Sequence, residues 1–339
     1  MSDRFNIKIA GRSIGSEYKP YVIAEMSANH NGNIDRAFKI IDEAKKAGAD
    51  AVKLQTYTPD TITLDCDKED FQIKDGLWKG QTLYELYSGA YMPWDWHKPL
   101  FEYAREVDIT IFSSPFDESA VDLLEDLNTP AYKIASFETV DLRLIDYVAR
   151  TGKPMIISTG MASEDEIKEA VDTARSGGCS QIALLTCVSS YPALASDYNL
   201  SRIADMRERF ETVVGLSDHT ISNICAIASI MLGGCIIEKH FTLSKKDEGF
   251  LIVQSDMPFI KSSDINKIYN SIKKGKSLVH ALKFKNKIGN PIGFDILVLN
   301  KFQKIKGDVG AKFMVKKLKK NTNFIKVSSN KIFKDFDYK

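Results

Sequence analysis

The chain has no CxxC pair, no apolar run of membrane-spanning length, no GxGxxG and no arginine beyond position 209. Each absence excludes something. The five cysteines, Cys66, Cys179, Cys187, Cys225 and Cys235, are odd in number and unlike a zinc ligand set, so they read as reduced thiols of a cytoplasmic protein. Without a stretch of about 20 apolar residues no membrane span is expected, and the opening MSDRFNIKIAGRSIG is too polar for a signal peptide. The missing glycine fingerprint weakens a dinucleotide-binding reading. A formal net charge of +1 argues against nucleic acid as a general partner. That total hides an asymmetry. From Lys261 to Lys339 there are 20 lysines against 5 aspartates, a local +15, which leaves −14 on the remainder. Such a segment either binds phosphate polymers or is a solvated lysine-rich surface.

What is present is a repeated unit. The 339 residues, 44% hydrophobic and 27% charged, suit one domain of roughly 250 residues and a smaller one. Residues 1–20, with a GRSIG turn, suggest an N-terminal hairpin. Short β-branched runs then recur at 22–27, 51–55, 110–114, 131–135, 155–159, 182–187, 213–217 and 236–240. Between and after them, helix-period segments occupy 34–47, 94–107, 119–127, 142–150, 164–176, 201–210, 223–232 and 263–277, the last as an eighth helix. An aromatic-rich insertion covers 56–93. Eight strands alternating with eight helices, without hairpin signals, predict parallel strands and an α/β, (β/α)8 TIM barrel over 21–282.

Barrel enzymes carry their sites at the C-terminal ends of the strands. Read in order, those ends offer Glu25 and Ser27, Lys53 and Gln55, Ser113 and Ser114, Lys133 and Ser136, Ser158 and Thr159, Ser189 and Tyr191, Ser217 to His219, and Glu238 with His240. Two neutral imidazoles, His219 and His240, on neighbouring strands suit a divalent metal, although each can equally be a hydrogen-bonded core histidine. Two lysines among several hydroxyls suit an anionic, phosphorylated ligand, because ammonium groups supply point charge and hydroxyls donate to phosphate oxygens.

The stretches IAEMSANHNG, AGADAVKLQTYTPDTITLD, FSSPFD, PAYKIASFE, KPMIISTGM, SSYP, GLSDHT and IEKHFTL resemble the sialic acid synthase family, almost continuously from Tyr21 to about Glu248. SANHNGN, LQTYTPDTITLD, the segment near Trp78 and LYELY lean toward its pseudaminic branch. The resemblance implies condensation of phosphoenolpyruvate with an N-acetylated amino sugar of 2,4-diacetamido-2,4,6-trideoxy-altrose type. The product is a nonulosonic acid, and phosphate is released. It implies a divalent metal, Mn²⁺ or Mg²⁺, on His219 and His240. It places Lys53, Lys133, Ser136, Ser158 and Ser217 around the phosphate and carboxylate of phosphoenolpyruvate. Glu25 and Gln55 then lie near the reacting aldehyde, and Ser189 and Tyr191 toward the sugar. Glu25 is the expected acid/base or cation-stabilising group. Trp78, Tyr84, Tyr87 and Tyr91 either pack on the sugar's methyl groups or anchor the insertion. The family also has a small C-terminal antifreeze-like (SAF) domain that swaps in a homodimer.

Beyond Glu248 the likeness breaks. Where the family carries a polar GPDSAFS-type loop, this chain reads Gly249 to Ser255 as GFLIVQS, an odd composition for a surface loop. The bases TTCCTGATAGTGCA encode Phe250–Gln254 in one frame and Pro-Asp-Ser-Ala in another, so a local frame shift is expected. KIKGDV at 304–309 is similar to part of the small domain, but the proline-rich Arg-Pro-Gly stretch is missing, and residues 283–339 are expected to be a lysine-rich, degraded remnant. With no arginine after Arg209, the family's arginine that completes the partner's site has no counterpart, and lysine cannot reproduce its bidentate fork. Three other readings stay open: the sialic or legionaminic branch, a Schiff-base aldolase using Lys53 or Lys133, and a ligand-binding barrel without turnover.

Overall fold

The computed structural model describes residues 5–74, 79–243, 249–252, 260–274, 277–295, 298, 312–329 and 331. The chain divides into two compact units, Met1–Leu243 and Ser244–Lys339.

The first unit opens with an antiparallel hairpin, β1 (Ile7–Ile9) and β2 (Arg12–Ile14). Eight parallel strands follow: β3 (Tyr21–Glu25), β4 (Ala51–Thr56), β5 (Thr110–Pro115), β6 (Tyr132–Ile134), β7 (Met155–Ser158), β8 (Ile182–Cys187), β9 (Val213–Asp218) and β10 (Ile236–His240). Each pairs with the next, and β10 closes on β3 to complete a barrel. The helices are α1 (Ile34–Lys46), α2 (Pro59–Ile62) and α3 (Leu83–Ala90) in the insertion, α4 (His97–Glu106), α5 (Glu118–Asp126), α6 (Leu142–Ala149), α7 (Glu164–Ser176), α8 (Arg202–Phe210) and α9 (Ile224–Met231). Local chemistry starts them where the polar side chains stand. Asn33 accepts from the Arg36 amide, Asp117 from those of Ser119 and Ala120, and Asp141 from that of Leu144. Thr82 with Glu85 and Ser163 with Glu166 form reciprocal capping boxes.

The period of two along each strand sorts its side chains between two cores. One set, including Ala24, Val52, Leu54, Ile111, Ile134, Ile157, Leu184 and Val214, faces outward and packs under the helices. The other, Ile23, Ala51, Phe112, Ala131, Ile156, Ala183, Leu185, Val213 and Ile236, fills the barrel's interior. Ile7, Ile9 and Ile14 of the hairpin belong to that inner cluster and plug the barrel's N-terminal end. The interior is therefore a packed floor, leaving room for chemistry only at the C-terminal end. Gly215 matters to this closure. It pairs with Ile236, and a Cβ there would collide with the Ile236 carbonyl oxygen, so β9 and β10 approach as closely as they do only because the residue has no side chain.

The second unit is a four-stranded sheet in the order β11 (Gly249–Ile252), β13 (Lys287–Asp295), β12 (Val279–Phe284), β14 (Thr322–Lys326). With it go α10 (Ser262–Lys273) and α11 (Lys312–Lys317). Val279, Ala281, Ile292, Phe294 and Met314 form its core.

Two expectations change here. The boundary expected at 282/283 falls instead at 243/244. The helix expected at 263–277 to complete the barrel belongs, as α10, to the second unit. There Ile268 and Ile272 pack with Leu282 and fill the space above Gly293, whose missing Cβ would otherwise meet both isoleucines. An amphipathic period states that a helix has an apolar face, not which sheet that face will cover. The apolar residues at 249–252, odd for a loop, form β11, paired antiparallel with β13. The KIKGDV segment at 304–309 and Trp78 lie outside the described residues.

Candidate active site

At the C-terminal end of six of the eight strands, the inward position that follows the apolar floor is polar. Ile23 is followed by Glu25, Ala51 by Lys53, Phe112 by Ser114, Ala131 by Lys133, Ile156 by Ser158, and Ile236 by Glu238. These side chains converge on a cavity of about 50 Å³ lined by Glu25, Lys53, Gln55, Lys133, Ala135, Ser136, Ser158, Cys187, Tyr191, Ser217, His219, Glu238 and His240.

The centre is a buried charge cluster. Lys53 Nζ lies 2.7 Å from Glu25 Oε2 and 3.5 Å from Glu238 Oε1, and it donates to Ser114 Oγ at 3.2 Å. Strand register creates this, since Glu25 stands opposite Lys53 and His240 opposite Glu25. Ser217, opposite Glu238, donates to it at 3.4 Å. Lys133 Nζ donates to Ser158 Oγ at 2.7 Å and to the Ile134 carbonyl at 3.0 Å. All four charged groups are buried. Glu25 Oε1 and Glu238 Oε2 have no hydrogen-bond partner among the described residues, which leaves acceptors for a ligand.

Burial divides the titrations. Desolvation pushes the Glu25 carboxyl up to about 7; Lys53 opposes this and Glu238 adds to it. Burial works against the Glu238 charge too, but two ammoniums, Lys133 and Lys53, outweigh it and hold Glu238 below the usual carboxylate range. Lys53 is likewise desolvated, yet the two carboxylates raise it. Lys133 is lowered, chiefly by burial.

The histidines come together as expected, with ring centroids 5.4 Å apart. His219 Nδ1 donates to the Val188 carbonyl at 2.7 Å, which leaves Nε2 as the lone-pair nitrogen. The His219 amide donates to the Tyr198 hydroxyl, which in turn donates to the Ser217 carbonyl. Desolvation lowers the pKa of His219. His240 has an exposed edge at the mouth, but desolvation by the surrounding protein and the neighbouring His219 and Lys53 charges hold it down as well. Both rings are thus neutral near pH 7, the form that binds metal. Among the described residues no group of three or more His, Cys, Asp and Glu side chains is placed to hold a metal ion. Two imidazoles alone would leave a bound cation to draw its remaining ligands from substrate and water.

Of the other candidates, Gln55 accepts from Ser27 Oγ at 3.5 Å, and Ser136 Oγ accepts from the Gly160 amide at 3.2 Å. Ser189 does not line the cavity, but its hydroxyl closes over Gly160 beside Ser136, so that a Cβ at Gly160 would stand 2.7 Å from one oxygen and 2.9 Å from the other. Tyr191, 64% exposed, lays its ring 4.2 Å from that of His219. The described aromatics of the insertion serve the insertion: Tyr84 donates to Asp60 and Tyr87 packs edge-on against Tyr57, and none of those described at 84, 87 and 91 lines the cavity. Ser113 points outward, onto Thr56. Sequence reasoning had Glu238 among the strand ends but gave it no role. Its parity with His240 was the available signal, as Cys187's parity with Leu185 was for the thiol.

A sequence profile of the NeuB family matches residues 40–278. The chain is 49% identical over 226 residues to pseudaminic acid synthase of Helicobacter pylori, covering 67% of this chain and 66% of that one. It is 44% identical over 236 residues to the pseudaminic acid synthase of Campylobacter jejuni, covering 70% and 69%. Among solved structures it is similar to the N-acetylneuraminic acid synthetase of Leptospira borgpetersenii in complex with citrate (TM-score 0.63, 30% identity, 70% of this chain and 79% of that one). It is also similar to the spore coat polysaccharide biosynthesis protein SpsE of Bacillus subtilis (TM-score 0.62, 36% identity, 79% and 71%). Sequence profile, relatives and barrel agree: the chain belongs to the NeuB family of sialic acid synthases, and within it resembles the pseudaminic acid synthases.

Proposed function

We propose that this chain condenses phosphoenolpyruvate with an open-chain N-acetylated amino sugar of the 2,4-diacetamido-2,4,6-trideoxy-altrose type, forming pseudaminic acid and phosphate. The observation that carries the reading is the buried Glu25–Lys53–Glu238 cluster beside Lys133, in one cavity with two neutral imidazoles. Lys53 and Lys133, with Ser136, Ser158 and Ser217, bind the phosphate and carboxylate, where ammonium charge offsets a trianion. His219 and His240 would hold a divalent metal, Mn²⁺ or Mg²⁺, which would supply Lewis-acid polarisation of the sugar's aldehyde. Gln55 orients the aldehyde end, and Tyr191 faces the rest of the sugar, while Ser189, expected there from the resemblance, stands behind the cavity wall over Gly160. The enol carbon bonds to the aldehyde carbon, water adds at C2, and phosphate leaves by C–O cleavage. Glu25, with a pKa near 7, meets the positive charge at C2 and takes the proton of the incoming water.

Incubation with phosphoenolpyruvate, Mn²⁺ and a panel of N-acetylated sugars, followed by mass detection, tests this. The nonulosonate is expected from the diacetamido trideoxy sugar and not after EDTA; product only from N-acetylmannosamine would move the chain to the sialic branch. Turnover is expected below that of the Helicobacter pylori relative, since this chain has no arginine beyond Arg209. The lowered pKa of Lys133 favours one other reading, a Schiff base with pyruvate. Borohydride trapping of pyruvate on Lys133 would establish it in place of the metal route.

A further inference from the structure

Behind the two histidines stands an ion pair that the cavity does not use. Asp218 precedes His219 on β9, Lys239 precedes His240 on β10, and the register sets Asp218 and Lys239 opposite each other as the last pair of that ladder. Period two turns this pair to the outside of the barrel wall while the imidazoles turn inward. Lys239 Nζ lies 2.8 Å from Asp218 Oδ2, on a side chain wholly out of solvent. The same ammonium donates to the carbonyls of Thr220 and Ser222 at 2.6 and 3.2 Å, so its three N–H groups are all engaged. Asp218 Oδ1 accepts from the amide and the hydroxyl of Thr220 at 2.9 and 2.7 Å. The residues on both sides of His219 are thus tied to the strand that carries His240. The other bonds to His219 come from Val188 and Tyr198 and make no reference to β10.

A buried ion pair adds little net stability, because desolvation of the two charges offsets their attraction, and its best-attested use is to fix register. The register fixed here is that of two imidazoles with centroids 5.4 Å apart. Side chains that share one ligand must be held to within about 0.5 Å, and a loop that follows a strand end does not supply that by itself. We propose that Asp218 and Lys239 are positioning residues: the pair latches the loop after β9 onto β10 and so sets the spacing at which His219 and His240 receive a divalent cation. The proposal rests on the metal reading given above.

The test uses the full chain with Lys239→Met, which keeps the length of the side chain and removes its three donors. Asp218→Asn combined with Lys239→Met also removes the carboxylate charge left behind, and it serves where the single variant folds poorly. Mn²⁺ titrated alone and followed by electron paramagnetic resonance should bind about 10–100-fold more weakly to both variants than to the wild type. Hydrogen exchange without metal should quicken at 217–223 and 236–241 and keep the wild-type rate at 51–56 and 131–136, the strand ends of Lys53 and Lys133. Variants that bind Mn²⁺ as the wild type does would overturn the proposal. So would exchange that is unchanged at the two histidine segments, or that quickens throughout the barrel, the mark of a merely structural pair. A wild type that binds no Mn²⁺ would strike the metal reading, and the latch would then stand or fall on the exchange alone.

Discussion

Replacing Lys53 by Met removes the ammonium that holds two buried carboxylates together. Lys53 Nζ is 2.7 Å from Glu25 and 3.5 Å from Glu238, with both glutamates and the lysine out of solvent. Breaking a buried ion pair from one side costs about 3–5 kcal/mol, because the surviving charge keeps its desolvation penalty without its partner. Adding Glu25→Gln should return most of that loss. An amide replaces the unpaired charge, so the double variant is expected within about 1–2 kcal/mol of wild type and the coupling at about 2 kcal/mol or more. The pH dependence has a definite sign. Burial already holds the folded pKa of Glu25 above its unfolded value, and losing Lys53 raises it further. A carboxyl raised in the folded state takes up its proton on folding, so stability is lost as pH rises from the unfolded value of about 4.3 toward the folded one. The Lys53→Met penalty should therefore be small near pH 5 and full near pH 8. Urea unfolding of wild type, single and double variants across that range, without metal, measures it. Equal losses for the single and double variants, or a loss that is flat with pH, would refute the buried cluster.

Other expectations follow from the same geometry. Glu25→Gln should lower kcat by about 10²–10⁴-fold with little change in KM for phosphoenolpyruvate. It should also erase a limb in the wild-type kcat/KM profile that rises with pH through about 7; a limb that persists in the variant would assign that titration to another group. Chelation should abolish turnover and Mn²⁺ restore it. His219→Ala or His240→Ala should need far more Mn²⁺ for half-maximal rate, and an unchanged requirement would remove the histidines as ligands. Gly215→Ala should cost about 1–3 kcal/mol, because its methyl must displace the Ile236 backbone; an unchanged urea midpoint would show that the two strands have slack.

Much of this was legible in the sequence because the barrel's rule is a parity rule. In strands such as IAE, AVK and IIEKH, an apolar inward residue is followed two positions later by a charged one, so period two places Glu25, Lys53, Glu238 and His240 on one side before any coordinate is known. Strand existence was equally readable from β-branched runs such as IALLTC, buried along their whole length. Which lysine serves which carboxylate was not. Glu25, Lys53 and Glu238 are brought together by the stagger of β10 against β3 and β4, a relation between strands distant in sequence. Nor was the allegiance of α10, since its apolar face is equally suited to a barrel wall or a separate sheet. The apolar run at 249–252 read as an anomaly only while that stretch was taken for a loop; as a strand paired with β13 its composition is ordinary. Whether a frame shift produced it is a question for the coding DNA, and a coding string other than TTCCTGATAGTGCA would dismiss that idea.

The central claim is that the polar ring at the barrel's C-terminal end joins phosphoenolpyruvate to an amino sugar. The most direct test measures phosphate release by the purified chain with Mn²⁺ and phosphoenolpyruvate, with and without 2,4-diacetamido-2,4,6-trideoxy-altrose. The account predicts release only when the sugar is present, in equal amount to the nonulosonate formed. Release without sugar, or consumption of phosphoenolpyruvate with no nine-carbon product, would contradict it.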